Sequence, residues 1–316
     1  MSDIQVADNR IYVKDEVTYG TDSVPTATDR VRTSDLDIVP YDGPRIEKAY
    51  DGDGGRDRNS INTGPFTSLT CKVDFAGSGT KDIEPTYAPL LRSCGVGVVE
   101  TALTNTTITT GTGVITDSSS IYFVEDLAGE LEKSALLGVR GTAGLDISRG
   151  AVPQWDFSLL GTYNQPSHIA STLAGAPAAQ LKGIPVTNAN TATVTLDGAT
   201  VCLESLKFDN MGYTTDFVNG PNCLEVKSSP TQIKGTIVIK DEGYATKNFV
   251  ALAESHGGVT EVALAVTHGT VTGNILSASV ATIQITDIKR TSLNGIKGWT
   301  MTFGLTSNAP LVIVQT

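Results

Sequence analysis

Alternation of apolar and polar residues is the feature that most constrains the fold of this chain. Leu69, Cys71, Val73 and Phe75 are each separated from the next by one other residue, and the intervening residues are polar. A period of two places alternate side chains on opposite faces of a strand, so this segment predicts a strand with one buried face. The 32 glycines and the frequent Thr, Ser, Val and Asn also favour strands and turns over helices. We therefore expect a mainly β protein.

A single short helix is predicted after this strand. Tyr87, Leu90, Leu91 and Cys94 have the spacing of one helix face, and Gly95 is a natural helix stop. Two further strands are predicted at 143–147 and 155–160, on either side of a tight connection.

The second half of the chain repeats this order. A predicted strand at 235–240 precedes a helix-like stretch around Phe249 and Leu252 that ends at two glycines, 257 and 258. A strand at 281–285 and a hairpin turn at Asn294-Gly295 follow, and a strand at 299–305 closes the copy. The order strand, helix and hairpin therefore occurs twice.

The closing strands of the two copies align without gaps. Trp155 and Trp299 are the only tryptophans in the chain and lie 144 residues apart. At the same offset, the Thr, Asn and Pro of 162–166 coincide with those of 306–310. The repeat predicts two tandem β-sandwich domains, 66–185 and 186–316, each with a flanking α-helix. Trp155 and Trp299 are expected to be equivalent core residues. The alternative is one large sandwich whose two sheets give the apparent repeat.

The first 65 residues have a different character. They carry alternating charges, four prolines and an aspartate–glycine cluster that includes Asp51 and Asp53. Such composition predicts an arm with long loops that orders against a neighbour. A calcium loop is the alternative, but it requires Gly and Glu where the chain has Arg56 and Asn62. An acidic turn is favoured. We expect a chain lacking residues 1–65 to fold but not to polymerise.

Motifs for catalysis are missing from the sequence. It contains no nucleophile elbow, phosphate loop, dinucleotide fingerprint or zinc-protease motif. The three histidines share no metal-ligand spacing, and the four cysteines are far apart, as expected for reduced cysteines. Paired carboxylates for glycoside cleavage remain open from spacing alone, although aromatic content is only 6%. We expect a protein that is not an enzyme and needs no cofactor or metal.

Charge and hydropathy narrow the class further. The net charge is −11, which argues against wrapping nucleic acid because phosphate contacts need Lys and Arg. The sequence has no apolar run of the roughly 18 residues that a membrane span needs, and its N-terminus lacks the pattern of a signal peptide. We expect synthesis and folding in the cytoplasm, without membrane insertion.

Several motifs occur in a fixed order along the chain. A glycine-rich strand at 137–147 leads to a proline and then to the aromatic strand at 153–163, which ends in Gly-x-Tyr. Together with the segments 73–95, 201–209 and 235–239, this order resembles that of the major tail tube proteins of long-tailed, non-contractile bacteriophages. The resemblance covers roughly residues 66 to 310, and its specificity lies in the order of the motifs.

The resemblance implies a structural function. In the family, sheets of neighbouring subunits join into a ring-shaped β-barrel, and the rings stack into a tube whose lumen conducts DNA during ejection. Two tube domains in one chain imply a trimeric ring, with a hexamer as the alternative. The implied partners are further copies of the chain and the tape measure, tail terminator and distal tail proteins. The implied location is the tail of the virion, assembled in the host cytoplasm, with transient, non-specific passage of DNA.

Candidate residues follow from this interpretation. An acidic lumen would repel DNA phosphates, which fits the net charge. The candidate polar sheet or lumen residues are Lys72, Asp74, Glu204, Lys207 and Asp209. The candidate ring–ring contacts of the arm are Asp51, Asp53, Arg56 and Arg58.

Two other classes of function remain open at the level of sequence. A capsid decoration or adhesin-like β-protein on the virion surface explains the Thr, Gly and Asn content equally well. A carbohydrate-active or calcium-binding enzyme is the third class, and it would depend on Asp51 or Asp53.

Overall fold

The computed structural model describes residues 8–49, 58–111, 117–127, 130–170, 173, 180–244, 246–306 and 309–316. Over these residues the fold is mainly β, with twenty-two strands and two α-helices. Each helix has six residues or fewer, and none in the described part of the chain reaches the length and hydropathy of a membrane span. The expectation of a mainly β protein is confirmed.

The elements are numbered in chain order. The first twelve strands are β1 Asp8–Asp15, β2 Arg30–Val31, β3 Ser34–Asp42, β4 Arg45–Ala49, β5 Arg58–Asn62, β6 Phe66–Asp74, β7 Val96–Thr101, β8 Asn105–Thr110, β9 Ser119–Leu127, β10 Glu130–Ser148, β11 Gln154–Thr162 and β12 Ser167–Ile169. The others are β13 Thr193–Leu196, β14 Ala199–Thr200, β15 Leu203–Phe208, β16 Tyr213–Gly220, β17 Cys223–Pro230, β18 Lys234–Lys240, β19 Val262–His268, β20 Leu276–Leu293, β21 Ile296–Leu305 and β22 Leu311–Gln315. The helices are α1 Ala88–Ser93 and α2 Phe249–Ala253.

The predicted strand and helix of the first half are confirmed. In β6, the odd-numbered side chains from Leu69 are buried and the even-numbered ones are more exposed, as the period of two requires. Helix α1 is shorter than the predicted face, because Pro89 lies in its first turn. The missing N–H of proline costs little at that position, whereas it would break a helix that began earlier. Gly95 follows the helix with φ +75°, a left-handed conformation that glycine adopts without strain.

The second half also contains the predicted elements. Strand β18 and the hairpin β20–β21 lie where the pattern placed them, and the turn residues Asn294 and Gly295 have φ of +50° and +85°. Two consecutive positive φ values are typical of a tight type I′ hairpin turn. Helix α2 ends at Ala253, before the predicted glycines, because Glu254 is already extended.

Eight antiparallel strands form one long sheet. Their order is β3, β6, β11, β10, β15, β18, β21 and β20. Among the described residues, the pairs run from β3 to β20 without returning to β3, so this sheet has two open edges there. Strands β10 and β20 are 19 and 18 residues long, and the first part of each pairs in other sheet regions.

Those other regions are two groups of strands with the same arrangement. In the first, β9 lies between β1 and β10, β2 pairs with β1, and β12 pairs with β10. In the second, β19 lies between β13 and β20, β14 pairs with β13, and β22 pairs with β20. The hairpin β7–β8 adds to the second group by pairing with β22.

The order of strand pairing is therefore repeated within the chain. Residues 8–169 and 193–315 each form the same set of pairs, and β3, β6, β10 and β11 correspond to β15, β18, β20 and β21. A two-stranded hairpin follows β3 and another follows β15, namely β4–β5 and β16–β17. In the described residues, only the β7–β8 hairpin lacks a counterpart. We call residues 8–169 and 193–315 the first and second repeat.

The core extends through both repeats. One contiguous cluster of buried apolar side chains includes Trp155 and Phe303, and a smaller cluster surrounds Tyr12 and Tyr122. The predicted division at residues 185 and 186 remains a prediction, because a shared core does not separate two domains.

The two tryptophans occupy different parts of this core. Trp155 is fully buried, with its ring centroid 5.7 Å from that of Phe75. Trp299 is 8% exposed and has the cationic groups of Arg290 and Lys297 over its ring at 5.6 and 5.3 Å. Both are buried, as predicted, but Trp299 lies at the rim of the core.

The predicted N-terminal arm is largely built into the sheets. Ile11 and Val13 of β1 are buried, and Leu36 and Ile38 of β3 pack against the main core. The interpretation as an arm missed these strands because charged residues flank their few apolar side chains. A chain lacking residues 1–65 would lose β1, β2 and β3, so the structure argues against the expectation that it folds.

The unequal burial of the tryptophans predicts unequal costs of truncation. Trp155→Ala should lower the free energy of unfolding by about 3–5 kcal/mol because the cavity is fully enclosed. Trp299→Ala should cost roughly 1–2 kcal/mol less, since water reaches the vacated space. Urea unfolding followed by far-UV circular dichroism measures both values, with the exposed Leu103→Ala as a near-neutral control. Equal costs, or a larger cost at Trp299, would contradict this assignment.

Candidate assembly surfaces

The long sheet has one face against the core and one polar face. In β6, Lys72 and Asp74 alternate with the buried Cys71 and Val73, so their side chains project from the polar face. Asp156 of β11 lies directly opposite Lys72, which places it on the same face. The polar face is therefore formed by residues whose neighbours along each strand fill the core.

Charges of both signs lie along this face, with the carboxylates of Asp156 and Asp146 on neighbouring strands between two lysines. Asp146 of β10 lies directly opposite Lys207 of β15, and Lys72 Nζ is 2.7 Å from Asp35 Oδ2 of β3. We call Asp35, Lys72, Asp156, Asp146 and Lys207 the charge row. It spans five adjacent strands of the sheet.

Two residues of the charge row, Asp156 and Lys72, have pKa values that are shifted from their ordinary ones. Burial raises the pKa of the Asp156 carboxyl, and the cations of Lys72 and Lys207 act in the opposite direction. The hydrogen bond to Asp35 raises the pKa of the Lys72 ammonium. The face thus carries both signs, and the uniformly acidic surface expected from the net charge is not seen across these strands.

The five predicted lumen residues are not all alike. Lys72 and Lys207 belong to the charge row. Asp74 accepts hydrogen bonds from Gln154 Nε2 at 3.1 Å and from the backbone N–H of Gly183 at 3.0 Å, which fixes it at the end of β6.

Glu204 and Asp209 lie at the two ends of β15. Glu204 forms an ion pair with Arg149, with Oε2 2.8 Å from Nε, next to an irregularity in the pairing of β15 with β18. Asp209 follows the strand directly, and its backbone N–H donates to the carbonyl of Lys234. Neither belongs to the charge row.

Sequence reasoning missed the three acidic members of this row: Asp35, and Asp146 and Asp156, which lie opposite Lys207 and Lys72. Asp146 and Asp156 are each flanked by buried apolar residues in predicted strands, which is the alternation that had identified Asp74. The missing information was the register between strands, since only the register shows that each carboxylate lies opposite a lysine.

The open edges of the long sheet carry opposite charges. The outer edge of β3 includes Asp35 and Asp37. The second part of β20 includes Lys289 and Arg290 together with Asp287, whose Oδ2 lies 2.7 Å from Lys289 Nζ, so its balance is one positive charge. Among the described residues, β3 pairs only with β6, and the second part of β20 pairs only with β21. Unpaired backbone N–H and C=O groups along such edges are available for another strand.

The junction between the repeats shows how such edges can join. Leu145, Asp146, Ile147 and Ser148 of β10 pair antiparallel with Phe208, Lys207, Leu206 and Ser205 of β15. The backbone N–H of Arg149 continues this ladder by donating to the carbonyl of Glu204 at 2.9 Å. The junction is thus a short antiparallel ladder with an ion pair at its end.

Most of the residues predicted as ring–ring contacts of the arm lie outside the part of the chain that the structure describes. Asp51, Asp53 and Arg56 fall outside the described residues. Arg58 begins β5, where its backbone is opposite Ala49. The role of these four residues stays a prediction.

Comparison with known proteins does not assign the chain to a family. No model of a known protein family matches the chain, and a search of curated proteins finds no similar sequence.

The charge row predicts how its central carboxyl responds to the loss of a cation. Lys72→Met should raise the pKa of Asp156 further, because Lys72 stabilises the ionised carboxylate directly opposite it. Carboxyl ¹³C shifts of labelled aspartate, followed through a pH titration, measure this pKa. Lys297→Met, which removes a cation paired with Asp241, serves as the control and should leave it unchanged. A pKa of Asp156 that stays constant or falls in Lys72→Met would refute the coupling.

Proposed function

We propose that this chain is the structural subunit of a bacteriophage tail tube. Copies join edge to edge into a ring, the rings stack, and the lumen conducts DNA during ejection. One observation carries the proposal: the strands at the two open edges, β3 and β20, correspond to the strands β15 and β10 that already pair inside the chain. The contact that joins the two repeats can therefore be repeated between molecules.

The repeat specifies the register of this contact. Leu145 lies opposite Trp155, and Arg290 lies opposite Trp299, so β20 presents Arg290 where β10 presents Leu145. The next residue, Thr291, then takes the place of Asp146.

Strand β3 is matched to β15 in the same way. Asp37 lies opposite Thr70, and Lys207 lies opposite Thr236. These two threonines have equivalent positions, because their partners in β11 and β21 are 144 residues apart, like the tryptophans. The proposed interface therefore pairs Thr291 of one copy with Asp37 of the next, and Lys289 lies diagonally on the same face.

Charge complementarity supports this pairing over the alternatives. The acidic edge of β3 attracts the second part of β20, where Lys289 and Arg290 outnumber Asp287, whereas two β3 edges would bring carboxylates together. A contact between two different edges is head-to-tail, and it closes into a ring when the rotation from copy to copy allows. Closure removes both exposed edges.

The number of repeats favours a trimer. Each chain contributes two units with the same pairing order, so three chains supply six units to the ring. We propose the units to be the two repeats, which keeps β1, β2 and β3 with the first unit instead of assigning residues 1–65 to a separate arm. Asp51, Asp53, Arg56 and Arg58 are proposed to contact the next ring.

The polar face of the long sheet is proposed to line the lumen. The three carboxylates and two ammonium groups of the charge row largely offset one another, so the surface produces little long-range field and gives phosphates no continuous stripe of cations to bind. This arrangement replaces the acidic lining expected from composition. A tube of this kind works with tape measure, tail terminator and distal tail proteins and belongs to the virion tail.

Electron microscopy of the purified protein tests the proposal. The wild-type chain should form rings of three copies or tubes, counted in end-on views. Lys289→Glu should raise the concentration needed for assembly by about tenfold or more, because two acidic edges then meet. Adding Asp37→Lys to the same chain should restore assembly. Lys234→Glu makes the same charge change on an interior strand and should assemble like the wild type.

Two results would overturn this assignment. A chain that stays monomeric at high concentration, even with tail-assembly partners present, would favour a surface decoration protein instead. Rings that are unaffected by Lys289→Glu would show that β20 is not the edge that joins the copies.

A further inference from the structure

The β4–β5 hairpin presents an apolar pair to solvent. Ile46 lies directly opposite Ile61 in this two-stranded sheet, and the two residues are 53% and 56% exposed. Exposed large apolar side chains that face each other across a hairpin form a small apolar patch. The hairpin extends from the end of β3, which is one of the open edges.

The corresponding hairpin of the second repeat is packed. In β16–β17, Phe217 lies directly opposite Val226, and Val226 is fully buried. The ring of Phe217 packs against that of Phe66, at the start of β6, with centroids 5.2 Å apart. The hairpin that follows β15 therefore covers the neighbouring repeat within the same chain.

Hydrogen bonds hold the packed hairpin at this place. The backbone N–H of Val226 donates to Tyr19 Oη at 2.6 Å, and its carbonyl accepts from Arg140 Nη1 at 2.9 Å. Asn219 Nδ2 donates to the carbonyl of Thr63 at 3.1 Å. Tyr19, Arg140 and Thr63 all belong to the first repeat.

The contact is centred on the base of the preceding hairpin. Thr63 and Gly64 connect β5 to β6, and a Cβ on Gly64 would lie 3.4 Å from that of Asn219. The hairpin of one repeat thus rests on the base of the hairpin of the repeat before it.

At the corresponding base of the second repeat, no further two-stranded hairpin packs among the described residues, and Thr110 and Gly111 of the first repeat lie nearby. In the first repeat, Phe66 lies opposite Thr162. The residue 144 positions after Thr162 is Thr306, which lies beside Gln232. Gln232 Nε2 donates to the carbonyl of Leu305, so Gln232 takes the place that Phe66 has in the first repeat. Here a cavity of about 230 Å³ opens at the base of β16–β17. Its lining includes Gly212, Pro230, Gln232, Ile233, Leu305 and Pro310.

We infer that the β4–β5 hairpin of one copy docks on this site of the adjacent copy in the same ring. The inference rests on the proposed ring, in which β3 of one copy follows β20 of the next. Ile46 and Ile61 would then form the apolar contact that Phe217 and Val226 form within the chain. The distances along the chain are similar, because Ile61 precedes Gly64 by three residues and Val226 precedes Pro230 by four.

Substitution of the apolar pair tests the role of the hairpin. Ile46→Asp and Ile61→Asp should each raise the concentration required for ring formation by about tenfold, since a buried carboxylate would replace an apolar contact. Val259→Asp, at a loop residue that is 60% exposed, is the matched control and should assemble normally. Circular dichroism of each variant checks that the subunit is folded.

Disulfide crosslinking locates the partner surface. In a background with the exposed Cys202 and Cys223 changed to Ser, one chain carries Ile61→Cys and a second carries Gln232→Cys. Mixed rings should give a crosslinked dimer under mild oxidation, and neither variant alone should do so.

The outcomes separate this inference from the proposed function. If the wild-type chain and both Asp variants form rings equally well, and the two cysteine variants give no crosslink, the docking is overturned while the ring stands. Crosslinks that form in stacked tubes but not in isolated rings would place the hairpin between rings and overturn it as stated. A wild-type chain that forms no rings would overturn both.

Discussion

The backbone ladder between β10 and β15 is the contact on which the rest of the structure depends. Four residue pairs, from Leu145 opposite Phe208 to Ser148 opposite Ser205, turn two four-stranded groups into one eight-stranded sheet. Without this ladder, each repeat would have a sheet with two open edges, and the shared core would be divided. With it, the exposed edges are reduced to β3 and the second part of β20, and the proposed assembly uses the same ladder to satisfy them.

Local sequence patterns predicted the elements better than their connections. The alternation around Cys71 and Val73, the glycine after α1 and the Asn294-Gly295 turn each report a preference that acts within a few residues, and each element is present. The strands before residue 65 were missed because Ile11 and Val13 become core only through pairing with a segment more than a hundred residues away. The lumen candidates were incomplete for a similar reason, since Asp156 gains its meaning from Lys72 across the sheet.

The two tryptophans illustrate how equivalent positions diverge. They match in sequence spacing and in strand pairing, yet Trp155 is enclosed while Trp299 lies beneath two cationic side chains at the rim. In the first repeat, β15 continues the sheet beside β10, whereas the second part of β20 has no such neighbour in the part of the chain that the structure describes. Trp299 also lines a cavity with Asp241, Tyr244 and Phe249, which accounts for its slight exposure.

The β7–β8 hairpin ties the two repeats together a second time. It leaves the first repeat and pairs with β22 at the end of the second, far along the chain from the β10–β15 ladder. Two separate attachments restrict the hinge between the repeats, so each molecule holds a set angle between its halves. In the proposed ring, that angle would amount to a segment of the circumference, and a single polypeptide would then carry the curvature of the assembly in its own backbone before it meets another copy.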